Sequence, residues 1–246
     1  MTVEPLYAHT AGRVPGLAAS FTPTGRRSAG SVLTDRQWLA ARVADTSRRW
    51  AGAEGRVSGT LWWYSASSTL LGASLGVRLA CGVWLDPDPA RTAVYVDDHG
   101  MLLAARPERT LPGRTPGESD HDVARAGGAW HGALASIIES LARVSGAREP
   151  ALWAVASDSL ANRGLEAGRA LGDQRRGRDV ALALAEGIGV PLPTPRFVDV
   201  GGADRSRLIC RRNSCCLIDQ TGLADRCASC PRRHPDERAR ILGRPR

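Results

Sequence analysis

Cys215 and Cys216 stand side by side, and ten residues further on Cys227 and Cys230 follow as a Cys-x2-Cys pair closed by Pro231. Four thiolates are the ligand complement of a 2Fe-2S cluster, two to each iron. A Cys-x2-Cys loop can turn both of its sulfurs toward one metal centre, and a proline directly after the last ligand stiffens such a loop. Adjacent cysteines are harder to place on a single tetrahedral ion because neighbouring side chains diverge, whereas two bridged irons offer targets in two directions. The pattern therefore favours a cluster on Cys215, Cys216, Cys227 and Cys230 over structural zinc, whose usual spacing has two separated Cys-x2-Cys knuckles. Zinc and disulfides stay open as alternatives. Cys81 lies in an apolar stretch and reads as a small buried hydrophobe, while Cys210 falls outside the ligand spacing. Arg211, Arg212, Arg226, Arg232 and Arg233 flank the four ligands in sequence. Positive charge there favours a reduced, more negative cluster, although each arginine taken singly reads more simply as solvated surface.

The 246 residues contain 33 basic side chains, all arginine, against 25 acids, for a formal net charge of +8. Such a surface attracts nucleic acid, anionic lipid, an acidic protein or an anionic chelate without choosing among them. The arginines are dispersed and no common nucleic-acid motif is present, so nucleic acid is not an expected partner. From Met1 to Pro23 the chain builds no apolar run, being interrupted by Glu4, Pro5 and Pro15, and a cytoplasmic protein is expected. In that reducing compartment six cysteines speak for metal rather than disulfides. The uncharged stretch Leu61 to Val77 carries Ser65, Ser67, Ser68, Thr69 and Ser74, too short and too polar for a membrane span. There is no dinucleotide fingerprint and no phosphate-binding loop, so electrons are expected from a separate reductase or ferredoxin. The five histidines lie in no hydrolase motif.

The elements that must position the cysteines are mostly helical. Residues 11–31 are rich in Gly, Pro, Ser and Ala without a hydrophobic period, and residues 1–33 read as a loosely ordered leader. Thr34 and Gln37 suggest a capping box opening a helix that runs through Leu39 and Val43 to Trp50. A longer helix is expected over 57–81, a hairpin over 93–96 and 101–105 around Asp97-Asp98-His99-Gly100, and a surface loop over 107–128. Leu134, Ile137, Ile138 and Leu141 mark a strong amphipathic helix, followed by helices near 150–170 and 175–188 with a Gly172–Gly177 breaker between them. Residues 196–200 and 207–210 look extended. The reading is an α+β fold: a loosely ordered leader (1–33), a helical body with a small antiparallel sheet and a substrate cleft (34–200), and a C-terminal metal-binding segment packed on it (201–246). Trp62, Trp63, Trp84 and Trp130 are candidate cleft walls, with core packing the simpler reading.

The run Arg212-Asn213-Ser214-Cys215-Cys216-Leu217, followed by Cys227-Ala228-Ser229-Cys230-Pro231, resembles the C-terminal signature of the FhuF-like ferric-siderophore reductases. The likeness is sharp over residues 207–231 and weaker in the body, at the Ser-rich helix after Val57 and at Leu152-Trp153 with Ala156 and Ser157. The resemblance implies a cytoplasmic protein, or one peripheral at the inner face of the cell membrane. It would reduce the Fe(III) of imported siderophores, hydroxamates above all, to Fe(II) by one electron from a 2Fe-2S cluster. The donor would be a ferredoxin or flavin reductase. Arg211, Arg212, Trp130 and His131 are the candidate substrate contacts. The alternative from another class is a non-catalytic zinc- or iron-sulfur-binding interaction or sensor protein.

Overall fold

A computed structural model describes residues 2–113, 120–200 and 207–242. It is a mostly helical α+β fold with helices α1 (Glu4–Ala11), α2 (Ala18–Phe21), α3 (Arg36–Arg49), α4 (Gly55–Cys81), α5 (Asp120–Ser145), α6 (Glu149–Ala170), α7 (Gln174–Ile188) and α8 (Pro235–Leu242). Strands β1 (Arg26–Ala29), β2 (Thr92–Val96) and β3 (Leu102–Pro107) form an antiparallel sheet in that order, and β4 (Phe197–Val200) pairs antiparallel with β5 (Arg207–Cys210). Among the described residues no helix is long and apolar enough to cross a membrane.

The interior is built on α4 and α6. Their small residues let the helices approach closely, and the contacts advance in step: Trp63 Nε1 donates to the Leu152 carbonyl at 2.8 Å and the Ser67 and Ser159 hydroxyls meet at 2.7 Å. The two helices therefore run parallel, with their N-terminal ends on the same side of the molecule. Around them Leu71, Leu75, Leu134, Ile138, Leu152 and Leu160 form one core that also takes in Trp62, Trp63, Trp84 and Trp130. The tryptophans are thus buried packing residues of this core. Gly177, expected in a helix breaker, instead lies inside α7: a Cβ there would stand 2.1 Å from the Gly164 carbonyl oxygen, so the glycines let α6 and α7 touch through their backbones.

The leader reading of residues 1–33 is corrected. Val3, Tyr7, Val14, Leu17 and Phe21 bury themselves against Ala73, Val77 and Leu85 in a second apolar cluster, and the Tyr7 hydroxyl donates to the Pro107 carbonyl at 2.8 Å. The elements there are too short to show a period. Pro5 and Pro15 sit in the first turns of their helices, where a missing N–H costs nothing. Thr34 closes a 3-10 turn on Ser31, and the N-cap of α3 is Asp35, which accepts from the Trp38 amide at 2.9 Å. The expected loop over 107–128 is shortened at both ends, by β3 to Pro107 and by α5 from Asp120; residues 114–119 of it lie outside the described residues. The long helices, the 92–107 hairpin and the two extended runs before the cysteines fall where the sequence places them.

Candidate metal centre

The cysteine segment begins where β5 ends. Gln174 at the start of α7 grips the strand, donating from Nε2 to the Leu208 carbonyl at 2.9 Å and accepting from the Leu208 amide at 3.0 Å. The next residues turn onto α6 and are received by Asp158, which is fully buried in the middle of that helix. Asp158 accepts from the amides of Asn213 (2.6 Å) and Ser214 (3.0 Å), from the Ser214 hydroxyl (2.6 Å) and from Arg212 Nε (3.3 Å). Asn213 adds bonds to the Ser157 hydroxyl and the Thr194 carbonyl, both at 3.1 Å. A buried carboxylate with four donors is a satisfied charge. It fixes the backbone of residues 212–214 just ahead of the paired cysteines.

Arg212 is drawn inside by the same network. Only 3 % of its side chain is exposed, its guanidinium lies 4.7 Å over the Tyr64 ring, and Nη1 reaches the Cys227 sulfur at 3.4 Å. One residue therefore spans from α6 to the second cysteine pair. Beyond Cys216 the chain reverses at Leu217, whose φ of +64° is a strained value for a residue with a branched side chain. A 3-10 turn follows at Ile218–Thr221. Asp219 in that turn binds Arg226 at 3.0 Å and Arg232 at 3.1 Å. Arg233 donates to the Cys227 carbonyl at 3.0 Å and Arg238 to the Cys230 carbonyl at 3.3 Å, which ties the second pair to the residues that follow it.

The sulfurs come together crosswise. Cys215 and Cys230 stand 3.8 Å apart, and Cys216 and Cys227 are near enough to influence each other's ionisation. The Cys215–Cys230 approach joins one cysteine from either end of the loop. Two thiolates on one tetrahedral metal, each at about 2.3 Å, are separated by about 3.8 Å, so the Cys215–Cys230 distance fits a shared metal. Among the described residues no group of three or more His, Cys, Asp or Glu side chains is gathered tightly enough to hold one ion. All six cysteines are free thiols. The neighbouring Cys216 thiol, and after it the Arg212 charge, hold the Cys227 thiol down to about 6, whereas Cys227 and burial push Cys216 up. A thiol that ionises below neutrality is suited to ligate metal.

The remaining candidates separate. Cys210 is buried, its thiol pushed up to about 12 chiefly by burial, with Sγ 4.0 Å from the Asp158 carbonyl oxygen. Cys81 packs near Thr10, 3.6 Å away, in the N-terminal cluster. Neither joins the four. Among the four proposed substrate contacts, Arg211 is exposed with its amide bonded to the Arg196 carbonyl at 2.8 Å, and Arg212 is too buried to reach a substrate. Trp130 lies in the main core. His131 Nδ1 is 2.9 Å from the Ile188 carbonyl oxygen, its ring 5.7 Å from Trp153. The α5 pair thus serves helix packing. Asp158, Ser157 and Tyr64 are positioning residues that the sequence did not disclose as such, and the one available sign was an acid set among small residues in Ala156-Ser157-Asp158-Ser159 on an otherwise buried helix face. The chain matches no protein-family model, no curated protein and no solved structure.

Proposed function

We propose that the four cysteines hold a 2Fe-2S cluster, Cys215 and Cys230 on one iron and Cys216 and Cys227 on the other, and that the protein is a cytoplasmic ferric-siderophore reductase. The observation that carries this reading is the 3.8 Å approach of Cys215 to Cys230, the separation of two thiolates on one tetrahedral metal, with Cys227 held near by Arg212. Bound there, the cluster supplies one electron at a time, taken from a ferredoxin or flavin reductase, which suffices to convert chelated Fe(III) to Fe(II). Hard oxygen donors hold Fe(II) less tightly, so the iron is released.

The residues of the chain prepare the site for that traffic. Asp158 fixes the strand entering the first pair. Arg212 brings a permanent positive charge and a hydrogen bond to the Cys227 sulfur, both of which favour the more negative, reduced state. Tyr64 covers the guanidinium and keeps water from it.

The test is a single-turnover experiment. Anaerobic protein, reduced with dithionite and freed of excess reductant, is mixed with a panel of ferric hydroxamates and catecholates. Reoxidation of the visible chromophore should accompany stoichiometric Fe(II) formation with at least one chelate. If the coloured, reduced protein leaves every chelate untouched while binding a promoter or a partner protein, it is a sensor and the reductase reading falls. Serine at any one of Cys215, Cys216, Cys227 or Cys230 should abolish or grossly alter the visible spectrum, and serine at Cys81 or Cys210 should not.

A further inference from the structure

A cleft of about 450 Å³ opens beside Cys215, a size within the range of small-molecule sites. Arg56 from the first turn of α4 and Arg148, the residue before α6, stand on its walls, while Ala151, Ala154 and Leu217 supply apolar surface. No carboxylate lines it. Arg56 does meet Glu54 at 2.8 Å and Gln220 at 3.0 Å, but Glu54 is 63 % exposed, and an exposed pair of this kind is worth little and exchanges readily. Arg148 forms no ion pair among the described residues. The cleft thus combines two guanidiniums available to a ligand, an apolar surface and one thiol of the candidate cluster.

We propose that this cleft binds an anionic ferric chelate built on aromatic oxygen donors, the tris-catecholate class, with Arg56 and Arg148 as the residues that select it. The inference rests on the reductase reading for its purpose, but on the lining of the cleft for its chemistry. A tris-catecholate of Fe(III) carries three negative charges on a rim of oxygens and presents flat rings. A guanidinium serves both features, donating paired hydrogen bonds to the oxygens and stacking on the rings. Ala151, Ala154 and Leu217 give the rings an apolar seat. A neutral tris-hydroxamate would leave both charges unanswered, so the selectivity is opposite to the hydroxamate preference that the family resemblance implies. The net charge of +8 adds long-range attraction for the anion.

Calorimetric titration of the anaerobically isolated full chain with gallium(III) chelates separates binding from reduction, because gallium matches ferric charge and coordination and is not reduced under these conditions. Gallium tris-catecholate should bind roughly tenfold or more tightly than gallium tris-hydroxamate, as expected for charge-assisted hydrogen bonds, and its advantage should shrink as salt is raised. Arg148→Ala and Arg56→Ala should each weaken the anion several-fold and leave the neutral chelate unchanged, with Arg148→Lys between the parent and Arg148→Ala. Both arginines are exposed, so unaltered circular dichroism should accompany these losses. Equal affinity for the two chelates, or variants that bind the anion as the parent does, would overturn the proposal, as would variants that slow only reduction by a donor protein, since the cleft would then be a donor dock. A colourless protein that still shows the arginine-dependent preference would retain the cleft and lose the reductase reading. A coloured protein that reduces both chelates without it would do the reverse.

Discussion

Where α4, α5, α6 and α7 meet, Leu71, Leu75, Ile138, Leu152 and Leu160 fill the interior, whereas the stretch from Leu208 to Cys216 is tied to those helices by Gln174, Ser157 and Asp158 through hydrogen bonds. The apolar contact of the cysteine segment is small: Cys216, Leu217 and Ile218 against Val57, Leu61 and Tyr64. The body rests on non-directional burial, which tolerates volume-conserving change. The cysteine segment rests on a charge buried with all its partners, which fixes position closely but fails when the carboxylate at its centre is removed. The proposed cluster, which would need its sulfurs held within a few tenths of an ångström, would be served by the second kind of attachment. The parallel N-terminal ends of α4 and α6 then give it a rigid platform.

The comparison predicts that damage to either region can be told apart. Asp158→Ala should have the largest effect: it strands the Arg212 guanidinium in the interior, a loss of about 3–5 kcal/mol. The visible chromophore should disappear while far-ultraviolet circular dichroism keeps the helical signal of the body. Ile138→Ala, in the apolar core, should cost a comparable or slightly smaller ~2–5 kcal/mol, but distributed differently. Its urea midpoint should drop for helix and chromophore together, and the protein that remains folded should keep a normal spectrum. If Asp158→Ala unfolds the helices along with the chromophore, the two regions are not separable in this way.

A smaller effect concerns Arg212. Arg212→Gln removes a charge and weakens the bond to the Cys227 sulfur, so the reduction potential should fall by on the order of 50 mV, the equivalent of an interaction worth about 1 kcal/mol. Arg212→Lys should recover part of the difference, which a merely packing role for Arg212 would not allow. The smallest effect belongs to the metal-free protein. With its folded-state value lowered to about 6, Cys227 is largely thiolate at neutral pH, and Cys216 is not. Iodoacetamide should therefore label Cys227 before Cys216 at pH 7, as read by peptide mass spectrometry, and the labelling rate should fall as the pH is lowered through about 6.

The helices were legible because they are long and periodic: Leu134, Ile137, Ile138 and Leu141 spell out one face, and the 92–107 hairpin announces its turn. The four cysteines were legible because thiols at that spacing have few other uses. The N-terminal elements were hidden by their length. With three to eight residues each they show no period, and Pro5 and Pro15 look like breakers until they are seen to open helices. What holds the cysteines was also hidden, since Asp158 lies 54 residues before Arg212 and nothing local marks either as one half of a pair. Arg212 looked like any of 33 arginines, and only the fold shows it buried. The approach of Cys215 to Cys230 likewise follows a backbone reversal at Leu217 that a spacing rule does not contain.

The most direct test is the composition of the freshly purified, oxygen-protected protein. Two irons and two acid-labile sulfides per chain, with a reddish-brown absorption that dithionite bleaches, are the predicted result. Stoichiometric zinc, or thiols that carry no metal at all, would contradict it.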